Sequence, residues 1–209
     1  MSQGYFTVSG ETENLIVIER SKFICNVCHV ENEDEAKAFI ETIRKKHSLA
    51  NHNCYAYIAD DKGLIQKFSD AGEPQGTAGL PMLEVLKNKK VYKTVAVVTR
   101  YFGGIKLGTG GLTRAYGGSV VECLAKSNIL DMQPSVLLSV QPDYEAYSRL
   151  LKFLSNENVA VIETLFENSV TVKLAVKEQY AKTFKDKLID AFNGKLDILD
   201  LGCEFYAFR

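Results

Sequence analysis

The 209 residues contain no run of about eighteen apolar residues, the length a membrane-crossing helix needs, so no transmembrane segment is expected. The opening stretch MSQGYFTVSGETENL lacks the basic and apolar regions of a secretory leader. Neither sign of charge prevails: 25 Lys and Arg face 26 Asp and Glu, a net charge of −1. No whole-molecule field draws the chain to nucleic acid or membrane, and any electrostatic role has to come from a local patch. Cysteine is sparse and odd in number, five in all, which fits a reducing compartment rather than a disulfide framework. These absences together predict a cytoplasmic protein without a membrane partner. At this length the chain is one large domain or two small ones.

The usual phosphate-binding patterns are also missing. A dinucleotide fingerprint would want glycine at Thr113 after Gly108 and Gly110, and a P-loop would want lysine where Thr109 follows Gly108. No cofactor is therefore assigned. Metal patterns fare no better. Cys25, Cys28, His47 and His52 give a C-x2-C…H-x4-H spacing, but eighteen residues separate Cys28 from His47. Cys25 and Cys28 lie in a strand pattern, where positions three apart face opposite ways. The same strand argues against haem attachment at Cys28-His29.

Glycine is what the chain has in one place. Ten of its fifteen glycines fall between Gly72 and Gly118, so one zone carries most of the backbone freedom. Two loops there, SDAGEPQGTAG and FGGIKLGTGG, each lead into a helix start, where exposed N–H groups and the dipole attract anions. Between Ser69 and Gly118 seven basic residues outnumber three acidic ones, an excess hidden in the overall balance. The candidate binding set is Arg100, Tyr101, Gly103, Gly104, Lys106, Gly108, Thr109, Gly110, Gly111 and Arg114, with His52, Asp70, Glu73 and Thr77 from the first loop and its neighbouring strand. Thr77 is expected to cap the helix that follows. Tyr101 and Phe102 beside Arg100 could stack on single-stranded nucleic acid or close a buried strand. Asp70 and Glu73 read as acid–base candidates, as oxygen ligands for a metal, or as caps of turns and helix starts. His52 and Cys54 share a strand face and could form a dyad or pack as core. Gly117, Gly118 and Ser119 read as a close packing surface of the second helix on a sheet.

Along the chain, LIVIERSKFICNVCHV reads as one or two strands, NEDEAKAFIETIRKKH as an amphipathic helix, and HNCYAYIAD with GLIQKFSD as a hairpin. KTVAVVTRYF has the continuous apolar centre of a buried strand, and a helix is expected from about Gly110 to Lys126. A domain boundary is placed near Gln133, dividing 1–133 from 134–209. Beyond it the elements run βαββαβ, the order of a ferredoxin-like sandwich, with Asp143 as an N-cap.

FSDAGEPQGTAGLPML, VVTRYFGGIKLGTGGLTRAYG and the shorter NHNCYAYI closely resemble the signature of the YigZ/IMPACT family. The resemblance covers nearly the whole chain, in the two-domain form of the bacterial members. It implies an α+β fold: a ribosomal-protein-like N-terminal domain as in elongation factor G domain IV, and a ferredoxin-like C-terminal domain as in its domain V. It also implies a link to translation, since eukaryotic relatives compete for an activator of the amino-acid-starvation kinase. Those relatives carry an additional domain absent from this sequence, so their partner is not carried over. The expected role is non-enzymatic, with RNA, the ribosome or a translation-factor protein as partner. An enzyme acting on a small anionic substrate at the same loops, and a protein-interaction module without nucleic acid, stand as alternatives.

Overall fold

The structure, a computed structural model, describes residues 3–167 and 169–208. It separates into two compact units, Tyr5–Leu130 and Asp131 to the C-terminus, the latter together with the first residues of the chain.

The N-terminal unit runs β1 (Tyr5–Val8), β2 (Glu11–Ile18), β3 (Ser21–His29), α1 (Glu33–Lys46), β4 (His52–Ile58), β5 (Gln66–Ser69), α2 (Gly79–Asn88), β6 (Thr94–Tyr101) and α3 (Gly108–Lys126). Its main sheet has the order β2-β3-β6-β4-β5, every neighbouring pair antiparallel. Strand β6 lies at the centre, and helices cover both faces, which accounts for its unbroken apolar run. On one face Phe23, Cys25, Cys54, Ala56, Ala96 and Val98 meet Met82 and Leu86 of α2 and Tyr116, Val120 and Cys123 of α3. On the other, Tyr57, Val95 and Val97 meet Ala36, Ile40 and Ile43 of α1. Cys25 belongs to the first face and Cys28 to the second, as strand parity requires.

Helix α1 follows its sequence signals closely. Asn32 accepts from the Glu35 N–H at 2.9 Å, acids fill the first turn and bases the last. Helix α3 packs on the sheet through Tyr116, Val120 and Cys123, while Gly117 faces Pro81 and Val85 of α2. Ser119 is buried and donates to the Ala115 carbonyl at 2.7 Å, while a Cβ at Gly118 would meet nothing.

The C-terminal unit contains β7 (Ile129–Gln141), α4 (Tyr144–Leu154), β8 (Val159–Phe166), β9 (Val170–Lys177), α5 (Glu178–Ala191) and β10 (Asp197–Ala207). The strand order β10-β7-β9-β8, antiparallel throughout, is that of a ferredoxin-like sandwich. Asp143 caps α4 by accepting from Ala146 N–H at 2.7 Å. The helices close over Leu138, Val140, Val172 and Leu174 with Leu150, Phe184 and Leu188. The chain leaves the N-terminal unit after Leu130, inside β7, and Pro134 sits in that strand opposite Phe205. The region around Gln133 is thus paired strand.

Leu174 is wholly buried in this second core. Leu174→Ala is expected to destabilise the unit by about 2–5 kcal/mol through lost contact and the cavity left behind, measured by urea unfolding.

Candidate functional site

Three side chains stand in one row across the sheet on the α2/α3 face: Phe23, Arg100 and His52, aligned by the β3–β6 and β4–β6 registers. The first glycine-rich loop folds over this row. Its Glu73 carboxylate, 3% exposed, accepts from Arg100 Nη1 at 2.7 Å and from the Tyr116 hydroxyl at 2.8 Å. His52 Nε2 stands 3.8 Å from the same oxygen, while its Nδ1 donates to the Ala71 carbonyl at 3.0 Å. The Arg100 guanidinium lies over the rings of Phe23 and Phe102, 5.3 and 5.4 Å from their centroids.

Arg100 is 5% exposed. It does not present its charge to solvent as the sequence suggests; that charge is matched by Glu73 within the fold. Burial of an ion pair gains little net stability, but breaking one leaves an uncompensated charge.

The start of α2 is closed in a similar way. Asp70 accepts from the N–H groups of Gly76 at 2.8 Å, Ala78 at 3.0 Å and Gly79 at 2.9 Å. The helix therefore has its carboxylate already, supplied from eight and nine positions upstream. Thr77 is not the cap: its hydroxyl donates to the Pro74 carbonyl at 2.6 Å, and Ala78 occupies the N-cap position. Gly79 is required by close approach, because a Cβ there would lie 2.8 Å from the Ser69 backbone. Cys54 donates to the Asp70 carbonyl at 2.9 Å, and burial pushes its thiol up to about 12. Cys54 and His52 bond separately to the Asp70 and Ala71 carbonyls, so they share a face without forming a dyad. Burial, with Cys54 and Glu73 alongside, also holds the Tyr116 phenol far above its ordinary range.

The second loop is built differently. Gly103 rests on the β2–β3 turn so tightly that a Cβ would lie 2.1 Å from the Arg20 carbonyl carbon. That turn, Glu19-Arg20, has positive φ at both residues, 44° and 63°, the geometry of a two-residue hairpin connection. Phe102 N–H donates to Asn51 Oδ1 at 2.8 Å, and Gly103 N–H to Ser21 Oγ at 3.1 Å. Gly104 and Gly108 have positive φ, 89° and 68°. Tyr101, next to Arg100 in the strand, points to the opposite face and lies 3.0 Å from His47 Nδ1. It is thereby separated from the loop it was grouped with, whereas Phe102 is 45% exposed.

Helix α3 then begins at Gly108, two residues earlier than expected, and no side chain caps it. Thr109 and Gly110 are exposed, and Arg114 Nη1 would lie 3.7 Å from a Cβ at Gly110, beside the first turn. A groove of about 580 Å³ opens here. Ile18, Ile105, Leu107 and Ala115 give it an apolar part, and Lys106, Arg114 and Glu19 a charged one, with Gly111 between. Arg20, Lys106 and Arg114 are exposed and belong to no ion pair among the described residues.

The expected pair of anion-attracting helix starts thus reduces to one. Asp70, Glu73, Thr77, His52 and Arg100 hold the first loop; Gly103, Gly104, Lys106, Gly108, Thr109, Gly110, Gly111 and Arg114 make the second loop and the open start of α3. Sequence reasoning missed Tyr116, hidden inside a helix, and the residues that the β2–β3 turn brings to the groove. A turn made of Glu-Arg carries no glycine or asparagine to announce it.

Two outcomes follow from this geometry. Glu73→Gln, which removes the charge and keeps the shape, is expected to cost about 3–5 kcal/mol by leaving Arg100 unmatched. Denaturant unfolding of E73Q, Arg100→Met and the double variant checks this: the double variant should lose less than the sum of the singles. Thiol labelling of the native protein should modify exposed Cys203 first, with buried Cys25, Cys54 and Cys123 reacting only on unfolding. Mass spectrometry after timed alkylation distinguishes them.

The Impact N-terminal domain matches residues 19–124, and a domain of unknown function (DUF1949) matches residues 140–195. The IMPACT family member YvyE of Bacillus subtilis is 43% identical over 198 residues, covering 95% of this chain and 91% of that protein. The IMPACT family member YigZ of Escherichia coli is 37% identical over 185 residues, covering 87% and 90%. Protein IMPACT-A of Xenopus tropicalis is 33% identical over 106 residues, about a third (32%) of its length. A crystal structure of a hypothetical protein superposes with a TM-score of 0.61 at 33% identity, over 95% of this chain and 98% of that one. With both domains matched in order and relatives similar from end to end, the chain belongs to the IMPACT family.

Proposed function

We propose that the N-terminal unit binds the phosphate backbone of RNA at the open start of α3, and that the protein serves translation in this way rather than through catalysis. The observation that carries the reading is the contrast between the two helix starts. Asp70 fills the first, whereas the second is exposed, has no side-chain cap, and adjoins a groove lined by Lys106 and Arg114, neither of them in an ion pair among the described residues. Free N–H groups and arginine together suit phosphate oxygens. The family's link to translation, which the sequence signature implies, gives RNA or a ribosomal surface as the polyanion.

The enzymatic alternative has less support. Each candidate acid or base of the first loop already has a structural partner: Asp70 the α2 amides, Glu73 the Arg100–Tyr116 pair, His52 the Ala71 carbonyl. A proton-transfer group has to reach a substrate, and these reach the fold.

The test is a titration of RNA at several salt concentrations on the wild type and on a Lys106→Ala/Arg114→Ala variant, with folding checked by circular dichroism. Both substitutions fall on exposed side chains. The variant is expected to bind more weakly across sequences, with a salt slope smaller by about one unit per lost phosphate contact. Equal binding by both proteins, or none by the wild type at low salt, refutes the reading.

A further inference from the structure

The groove beside α3 contains more than a phosphate site requires. Backbone phosphate is recognised by cations and N–H donors and gains nothing from an apolar floor or a carboxylate. Here Ile18, Ile105 and Leu107 supply apolar lining, and Glu19 lines the same groove as Lys106 and Arg114. The groove thus combines cations from the second loop and α3, Lys106 and Arg114, with a carboxylate from the β2–β3 turn, Glu19. A volume of about 580 Å³ falls within the ~300–1,000 Å³ of small-ligand clefts.

We propose that this groove receives one unpaired nucleotide, with its phosphate on the Lys106–Arg114 side and its base against Ile18, Ile105 and Leu107. The inference rests on the RNA reading above and deepens it to a class of RNA: single-stranded segments or splayed-out bases. The polarity of the groove fixes the orientation. Glu19 repels phosphate but accepts hydrogen bonds from N–H groups on a base edge, so the base occupies its end. Guanine offers two adjacent donors there, N1–H and the 2-amino group, and is the base this carboxylate favours. In a duplex those donors are engaged in pairing and the base face is stacked, so a paired nucleotide cannot enter. The rim is also pre-formed. Gly103 packed on the Arg20 peptide locks the Glu19-Arg20 turn to the loop that carries Ile105 and Lys106. Exposed Phe102, immediately before that lock, offers a stacking face for a neighbouring base.

The experiment measures binding of fluorescent RNA oligomers of equal length: single-stranded guanine-containing, single-stranded uridine-only, fully duplexed, and abasic. Single-stranded guanine-containing RNA should bind about tenfold or more tighter than the abasic backbone, and tighter than the duplex. Ile105→Ser, an exposed loop change, should remove that margin and leave the salt slope unaltered. Glu19→Gln should narrow the preference for guanine over uridine. Equal binding of intact and abasic oligomers, with the salt slope intact, overturns the nucleotide pocket and leaves the backbone reading standing. Absence of binding to any oligomer at low salt overturns both.

Discussion

The N-terminal unit depends on one carboxylate. Glu73 is delivered by a loop, yet its side chain reaches a guanidinium on the central strand and a phenol on the following helix. Strand, loop and helix are thereby tied at a single point beneath the surface. The tie draws its strength from its surroundings. In the low dielectric under the loop, the attraction between Glu73 and Arg100 offsets the cost of removing both from water, and each partner alone would be a liability. The Phe23 and Phe102 rings on which the guanidinium lies complete the enclosure.

This tie also explains why the two glycine-rich loops differ in kind although they resemble each other in composition. The first has Asp70, Glu73 and Thr77 bonded within the fold. Asp70 gathers three amides, and glycine at 72, 76 and 79 lets the chain bend closely enough for one carboxylate to collect them. The second uses glycine to lie on a neighbouring turn and then to enter a helix whose first amides remain uncovered. Folding energy concentrates in one loop, and a surface competent for a ligand is left on the other.

How much of this could be read in the residues varies with the range of the interaction. The element order was legible because apolar periodicity is local: α1 with its acids and bases, the β4–β5 hairpin and the βαββαβ succession need no distant information. Asp143 was legible as a cap because it stands three residues from the amide it accepts. Asp70 was not, since it caps from eight and nine residues away, and Thr77 was the nearer but mistaken choice. Arg100 was misjudged for the same reason. Its partner lies 27 positions earlier, and a buried central strand with apolar residues on both faces gives no alternation to reveal an inward-pointing arginine. Tyr101 could have been separated from Arg100 by strand parity alone. The groove was invisible because part of its lining, Ile18 and Glu19, comes from the end of β2 and a turn without turn residues.

The sheet has a further property of consequence for how the protein is made. Its central strand, β6, begins at Thr94, after both β2–β3 and β4–β5 are complete. A chain emerging from its N-terminus therefore presents two separate hairpins, each with an unpaired edge, until residues 94–101 arrive to bridge them. Synthesis proceeds at roughly 5–20 residues per second, so those edges wait for seconds as templates for strands of other chains. A nascent chain stalled before Thr94 is then a species prone to pair with its neighbours, and β6 is the segment whose arrival ends that hazard.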